Sequence, residues 1–284
     1  MDIRHVAVLG AGTMGAGIAQ VSATAGYETS LFDVDPGQLE ESLQRIERNL
    51  ARSVEKGRIK AQTRVAALAR LRGGGDLRDA VGAADLVVEA VPENPELKAR
   101  IFSELEAHAP SHAILASNTS SIPISQIARA VADPGRVVGM HFFNPVPAMA
   151  LLELVRGDQT RDEVIAAATS VGIKMGKTPI IVRDSPGFAS SRLGIALGLE
   201  AMRMVEEEVA TPADIDRAME LGYRHPMGPL RLTDLVGLDV RLAIAENLHR
   251  ELGSDTFRPP EILRRLVREG RLGKKSGEGF HRWD

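Results

Sequence analysis

Short apolar runs alternate with longer amphipathic stretches through the first 185 residues of the chain. "HVAVLG" (5–10), "YETSLFDVD" (27–35), "DLVVEAV" (85–91), "AILASN" (113–118) and "RVVGMHF" (136–142) predict strands. "GAGIAQVSATAG" and one long charged segment, 36–70, predict helices, and "RGGGD" predicts a turn. "ALLELV" and "TPIIV" predict two late strands of the same sheet. Strands that alternate with helices imply a mostly parallel sheet with right-handed crossovers, an α/β architecture. From "SPGF" (185–188) onward the pattern is helix after helix. The expected division is therefore an α/β domain over 1–185 and an all-α domain over 186–284.

Composition narrows this without redirecting it. At 284 residues the chain suits two domains of roughly 100–200 residues each. A net charge of −3 with no long block of one sign argues against a nucleic-acid partner. The absence of cysteine removes disulfides, thiolate nucleophiles and Cys-ligated metals, and fits a reducing compartment. The opening "MDIRHVAVLG" shows no signal pattern, and "LGIALGLEAM" carries Glu200 and is about half the roughly 20 residues a membrane helix needs. A soluble cytoplasmic protein without membrane contact is expected.

"GAGTMG", residues Gly10, Ala11, Gly12, Thr13, Met14 and Gly15, is a GxGxxG between a predicted strand and a predicted helix. Asp33 ends the next strand, eighteen residues past Gly15. That context is the dinucleotide fingerprint of a Rossmann-type domain. Gly10 allows the tight turn, Gly12 lets backbone N–H groups approach a pyrophosphate, and Gly15 permits close helix–strand packing. Asp33 can accept from a ribose diol and would repel a 2′-phosphate, so the expected cofactor is NAD rather than NADP.

Arg45, Arg48, Arg52 and Lys56 fall at i, i+3, i+7 and i+11 of the next helix, on one face. Two readings stay open for this stripe: a contact for the phosphates of a large anionic substrate, or a solvated charged face. His108 and His112 have metal-ligand spacing, but Pro110 interrupts the helix and no third ligand is near, so no metal site is expected.

Three segments then converge at predicted strand ends. "SNTSS" (117–121) offers Ser120, "HFFNP" (141–145) offers His141 and Asn144, and "LLELV" offers Glu153 inside an apolar run. Ligands of open α/β sheets bind beyond the carboxyl ends of the strands, so Ser120 and His141 can face a nicotinamide. A histidine with a buried carboxylate suits proton transfer coupled to hydride transfer.

With these residues in place, the chain resembles the L-3-hydroxyacyl-CoA dehydrogenase family over essentially its whole length, most closely the bacterial 3-hydroxybutyryl-CoA branch. The markers are "GAGTMGAGIAQ", "DLVVEAVPEN", "SNTSS", "HFFNPVP", "DSPGF", "HPMGPL", "DLVGLDV" and "LGKKSGEGF". The resemblance implies that His141 is the acid/base, Glu153 its orienting partner and Ser120 a donor to the substrate 3-oxygen. It further implies that Glu93, Lys98, Asn144 and Lys275 line the NAD site and that Lys56 contacts coenzyme A. The implied substrate is an acyl-CoA, the acetoacetyl-CoA/3-hydroxybutyryl-CoA pair, and the implied assembly is a homodimer through the helical domain. Two positions depart from the family pattern: Ser191 stands where an asparagine is usual near the reacting carbonyl, and Asn49 where a serine is usual near coenzyme A. The stretch 188–208 is apolar nearly all round, so it needs cover on several sides, from a second copy or from its own neighbours. Two competing readings remain: a dehydrogenase of free hydroxy or sugar acids on the same scaffold, and a cofactor-binding structural protein that has lost catalysis.

Overall fold

The structure, a computed structural model, describes residues 1–283. It divides into two compact units, Met1–Ser185 and Pro186–Asp284. The first unit carries strands β1 (His5–Leu9), β2 (Glu28–Phe32), β3 (Leu71–Gly73), β4 (Leu86–Glu89), β5 (Ile114–Ser117), β6 (Val137–Phe142), β7 (Leu151–Arg156) and β8 (Thr178–Arg183). Its helices are α1 (Thr13–Thr24), α2 (Pro36–Glu55), α3 (Ala61–Arg70), α4 (Leu77–Val81), α5 (Pro95–His108), α6 (Ile124–Ile127) and α7 (Asp162–Lys174).

The eight strands form one sheet in the order β3-β2-β1-β4-β5-β6-β7-β8. All neighbours are parallel except β6 and β7. Every residue of β4, β5 and β6 is buried, which is why these strands read as continuous apolar runs and not as alternation. Each fully buried Val, Leu or Ile in them contributes about 1.5–3 kcal/mol of hydrophobic stabilisation. The strand order reverses beside β1, whose neighbours are β2 and β4. That reversal is where an open α/β sheet forms its ligand crevice.

Two local expectations give way. The segment 36–70 is two helices rather than one, because Gly57 at φ +67 turns the chain between α2 and α3. Part of "RGGGD" is not turn: Leu71–Gly73 pairs with β2 as a three-residue edge strand. With two glycines beside it and no apolar alternation, that strand leaves no pattern to detect.

The second unit holds α8 (Ser190–Glu206), α9 (Pro212–Gly222), α10 (Pro229–Val236), α11 (Leu238–Leu252) and α12 (Glu261–Arg268). Its core joins Ile195, Leu199 and Met202 of α8 to Leu230, Leu238, Leu248 and Leu263. Cover for α8 thus comes in good part from its own neighbours, while Leu193 stays 71% exposed.

Candidate functional site

The fingerprint loop follows β1 at the sheet's reversal point. Gly10 has φ +92, and a Cβ there would lie 2.8 Å from the Ala90 oxygen. A Cβ on Gly15 would lie 1.7 Å from the Gly10 oxygen, so α1 can pack this close only with glycine. Gly12 differs: nothing lies within 4 Å of its would-be Cβ. It also caps α1 without a side-chain bond, so the first-turn N–H groups are presented to whatever lies beyond. Ala11 is fully buried, Thr13 is exposed, and Met14 packs partly against the core. Asp33 Oδ2 accepts the Ala11 N–H at 2.6 Å, and Oδ1 accepts from Asp35 at 3.0 Å. Open space at Gly12, an uncapped helix start and a strand-end carboxylate together fit the dinucleotide expected here.

Beside the loop, β4 and β5 end in the register pair Glu89 and Ser117. Glu89 is wholly buried and accepts from Lys98 Nζ at 2.6 Å, from Ser117 Oγ at 2.6 Å and from the Val91 N–H at 2.8 Å. Lys98 is 1% exposed and stands 3.4 Å from Glu93 Oε2. Glu93 Oε1 accepts from Thr119 Oγ1 at 2.6 Å and from the backbone N–H groups of Ser120 and Ser121 at 3.0 and 3.1 Å. Burial would raise the Glu93 pKa. The Thr119 bond, the Lys98 charge and the donors of Ser121 and Ser120 outweigh it and hold the carboxyl below its ordinary value.

The histidine and glutamate meet through the antiparallel pairing of the sheet. His141 on β6 lies directly opposite Glu153 on β7, so their side chains share a face. His141 Nδ1 is 2.8 Å from Glu153 Oε2, with the two residues 7% and 0% exposed. An ionised carboxylate only accepts, so Nδ1 carries the proton in this pair and Nε2 is the basic nitrogen. The Phe143 ring packs tilted against the imidazole at a centroid distance of 4.5 Å. Asn118 Oδ1 takes the Phe142 N–H at 2.8 Å and ties the end of β6 to the Ser120 segment. Asn144 follows at the exposed start of the connection to β7.

The basic stripe divides. Arg45 turns to the fingerprint loop, 3.3 Å from the carbonyl oxygens of both Ala11 and Gly12. Arg48 is exposed. Arg52 and Lys56 line a cleft of about 640 Å³ together with Asn49, Arg58 and Lys174. Among the described residues no carboxylate lines it, and Pro145, Pro147 and Ala148, just past the histidine strand, form another wall. Lys177, from the turn after α7, bonds the carbonyls of Val146 and Met149 and holds that wall in place. His112, whose spacing from His108 suggested metal, pairs with Asp85 at 3.1 Å.

In the second unit Ser191 sits half-buried in the first turn of α8. Lys275 lies in a 3-10 turn and pairs with Asp239 at 2.6 Å. Sequence reasoning missed Glu89, Ser117 and Asn118. A signal for the first was present: Glu89 interrupts "LVVEAV" just as Glu153 interrupts "LLELV".

Comparison with known proteins bears on both units. The family model "3-hydroxyacyl-CoA dehydrogenase, NAD binding domain" matches residues 5–185, and the model of that family's C-terminal domain matches residues 187–283. A protein of Bacillus subtilis named "Probable 3-hydroxybutyryl-CoA dehydrogenase" is 45% identical over 100% of this chain and 99% of its own length. The 3-hydroxyadipyl-CoA dehydrogenase of Escherichia coli is 40% identical over 100% of this chain and 60% of its own. The crystal structure of (S)-3-hydroxybutyryl-CoA dehydrogenase from Ralstonia eutropha superposes with a TM-score of 0.96 at 40% identity, covering 100% of both chains.

Proposed function

From the premise that this chain belongs to the 3-hydroxyacyl-CoA dehydrogenase family, we propose that it oxidises (S)-3-hydroxybutyryl-CoA to acetoacetyl-CoA with NAD and catalyses the reverse reduction. The observation that carries the chemistry is the buried His141–Glu153 pair, held by strand register in the same sheet whose β1 leads into the dinucleotide fingerprint. NAD, when bound, supplies the acceptor for the hydride that leaves C3 of the substrate. The Gly10–Gly15 loop and the start of α1 would hold its pyrophosphate, and Asp33 its adenosine ribose.

In the oxidative direction His141 Nε2 takes the proton of the 3-hydroxyl. Glu153, bonded at Nδ1, keeps the ring in that tautomer and stabilises the imidazolium as it forms. Ser120 donates to the same substrate oxygen. In the reductive direction the imidazolium returns its proton to that oxygen. The coenzyme A handle lies against Arg52, Lys56 and Lys174, whose cleft offers cations and no opposing carboxylate. Asn144 and Lys275 complete the cofactor surroundings, and Ser191 serves where the family carries asparagine. A homodimer through residues 186–284 is supported by the exposed apolar side chains of Leu193, Leu235, Val236 and Val240. Among the described residues no helix is long and apolar enough to cross a membrane. Together with the cysteine-free composition, this supports a cytoplasmic location.

The test follows NADH absorbance with acetoacetyl-CoA and then with free acetoacetate. Remote binding energy from the CoA handle should make kcat/KM about 10²-fold or more higher for the thioester. Equal efficiency would assign the chain to free hydroxy acids instead.

A further inference from the structure

Glu89 and Lys98 are charged groups in the interior of the 1–185 unit that take no part in the proton transfer above. We propose that they form a buried positioning pair: Glu89 anchors Lys98, Lys98 holds Glu93, and Glu93 fixes the 119–121 segment that carries Ser120. As far as it concerns catalysis, this rests on the reading of Ser120 as a substrate donor.

The chain of contacts starts in the sheet. Both Glu89 oxygens are committed, one to Lys98 and the Val91 N–H, the other to Ser117 on the adjacent strand. The carboxylate is thus locked to two strand ends and cannot follow a ligand. Lys98 comes from the first turn of α5, whose start is fixed by Asn94 accepting the Leu97 N–H and by Pro95 at the first helical position. Glu93 and Lys98 occupy the N′ and N4 positions of that helix, where many helices place an apolar staple. Here the staple is ionic, with Lys98 Nζ 3.4 Å from Glu93 Oε2. The other oxygen of Glu93 gathers Thr119 Oγ1, the Ser120 and Ser121 N–H groups and the hydroxyls of Ser121 and, at 3.4 Å, Ser120.

One ammonium therefore serves two carboxylates with different duties. An ammonium only 1% exposed needs a close anion, and Glu89 at 2.6 Å meets that need. Glu93, 37% exposed at its side chain, then finds the cation as a fixed pivot and spends its outer oxygen on the segment. The net charge of the triad is −1, and it sits where the N–H groups converge. Lys98 Nζ reaches both carboxylates from its buried position and carries the anchor at Glu89 outward to Glu93.

The double variant Glu89→Leu/Lys98→Met removes both charges at similar volume and leaves no lone buried ion. The readouts are amide hydrogen exchange at Ser120 and Ser121 and steady-state kinetics, with folding checked by melting. The expected result is exchange about tenfold faster at both amides and kcat lower by about tenfold. Wild-type exchange overturns the proposal. Faster exchange at unchanged kcat upholds the positioning role and removes Ser120 from the chemistry. Should the double variant not fold, Glu93→Gln keeps the inner Glu89–Lys98 pair and weakens both links that Glu93 makes. It must show the same gain in exchange, and wild-type exchange there overturns the proposal equally.

Discussion

Glu153→Gln keeps the shape of the side chain and an oxygen that can accept the His141 Nδ1–H, but removes the charge. With Nδ1 and Oε2 at 2.8 Å, the charge centres of an imidazolium and this carboxylate are about 4 Å apart. At an effective dielectric of ~20, that attraction is about 4 kcal/mol, and the neutral bond left to glutamine recovers about 1. The difference acts only as the ring gains its proton, so it falls on the barrier and not on binding. About 3 kcal/mol corresponds to a loss of roughly 10²-fold in kcat. The residues of the CoA cleft and the fingerprint loop are untouched, so both Michaelis constants should stay within about threefold. His141→Ala should lose about 10²–10⁴-fold, the usual range for a general acid or base. Once the histidine is gone, Glu153→Gln has no imidazolium to affect, so the double variant should match His141→Ala within about threefold. The assay is NADH formation from NAD and (S)-3-hydroxybutyryl-CoA, the direction in which the ring gains its proton, for both single variants and the double. His141→Asn serves as a fold control that keeps a donor near the Nδ1 position. Glu153→Gln with near wild-type kcat, or with its whole effect in KM, would refute the acid–base assignment.

Gly12→Ala should cost about 1 kcal/mol of stability, as loss of a helix cap does, and weaken NADH binding, whereas Gly15→Ala should lose about 2 kcal/mol or more. Calorimetry and NADH titration separate the two. Lys56→Ala and Arg52→Ala should each raise KM for acetoacetyl-CoA by roughly two- to fivefold with that for NADH unchanged, and the effect should fade at high salt. If both constants move together, the cleft is not the CoA handle. Glu93, held below its ordinary value of 4.5, contributes stability that is present above that pH and is lost as pH falls through the lower folded value. Urea melts from pH 7 to 3 should therefore show the advantage over Glu93→Gln disappearing only on the acid side.

How much of this the sequence carried differs by element. The fingerprint was legible because turn, close approach and packing each demand glycine at a fixed spacing, and Asp33 follows at the length of one helix and one strand. Glu153 was visible as a charge inside an apolar run, but what pairs it with His141 is an antiparallel register. No local pattern in a mostly parallel fold announces that reversal. Helical periodicity placed four cations on one face of α2, yet their targets differ because the neighbours of that face change along its length. Arg45 lies over the loop, and Lys56 lies beside the cleft. Lys98 was hardest to place in the interior, since a lysine in an amphipathic helix ordinarily points to water. Only the presence of Glu89 beneath it changes that preference.

The connection between β6 and β7 has a consequence for how such a protein can change. Parallel neighbours need a crossover of about a dozen residues or more, whereas the eight residues 143–150 suffice here because the chain doubles back. The distance between His141 and Glu153 is set by the ladder on which both are rungs, and the connection has no part in it. Yet this same connection supplies Pro145, Pro147 and Ala148 to the wall of the cleft. Reactivity and selectivity are thus written in separate pieces of covalent chain only a few residues apart. Drift or deliberate exchange within 145–148 can reshape the cleft that receives the coenzyme A handle while Phe143 and the proton-transfer pair are inherited intact, which makes this span the natural starting point for directed evolution toward altered handles.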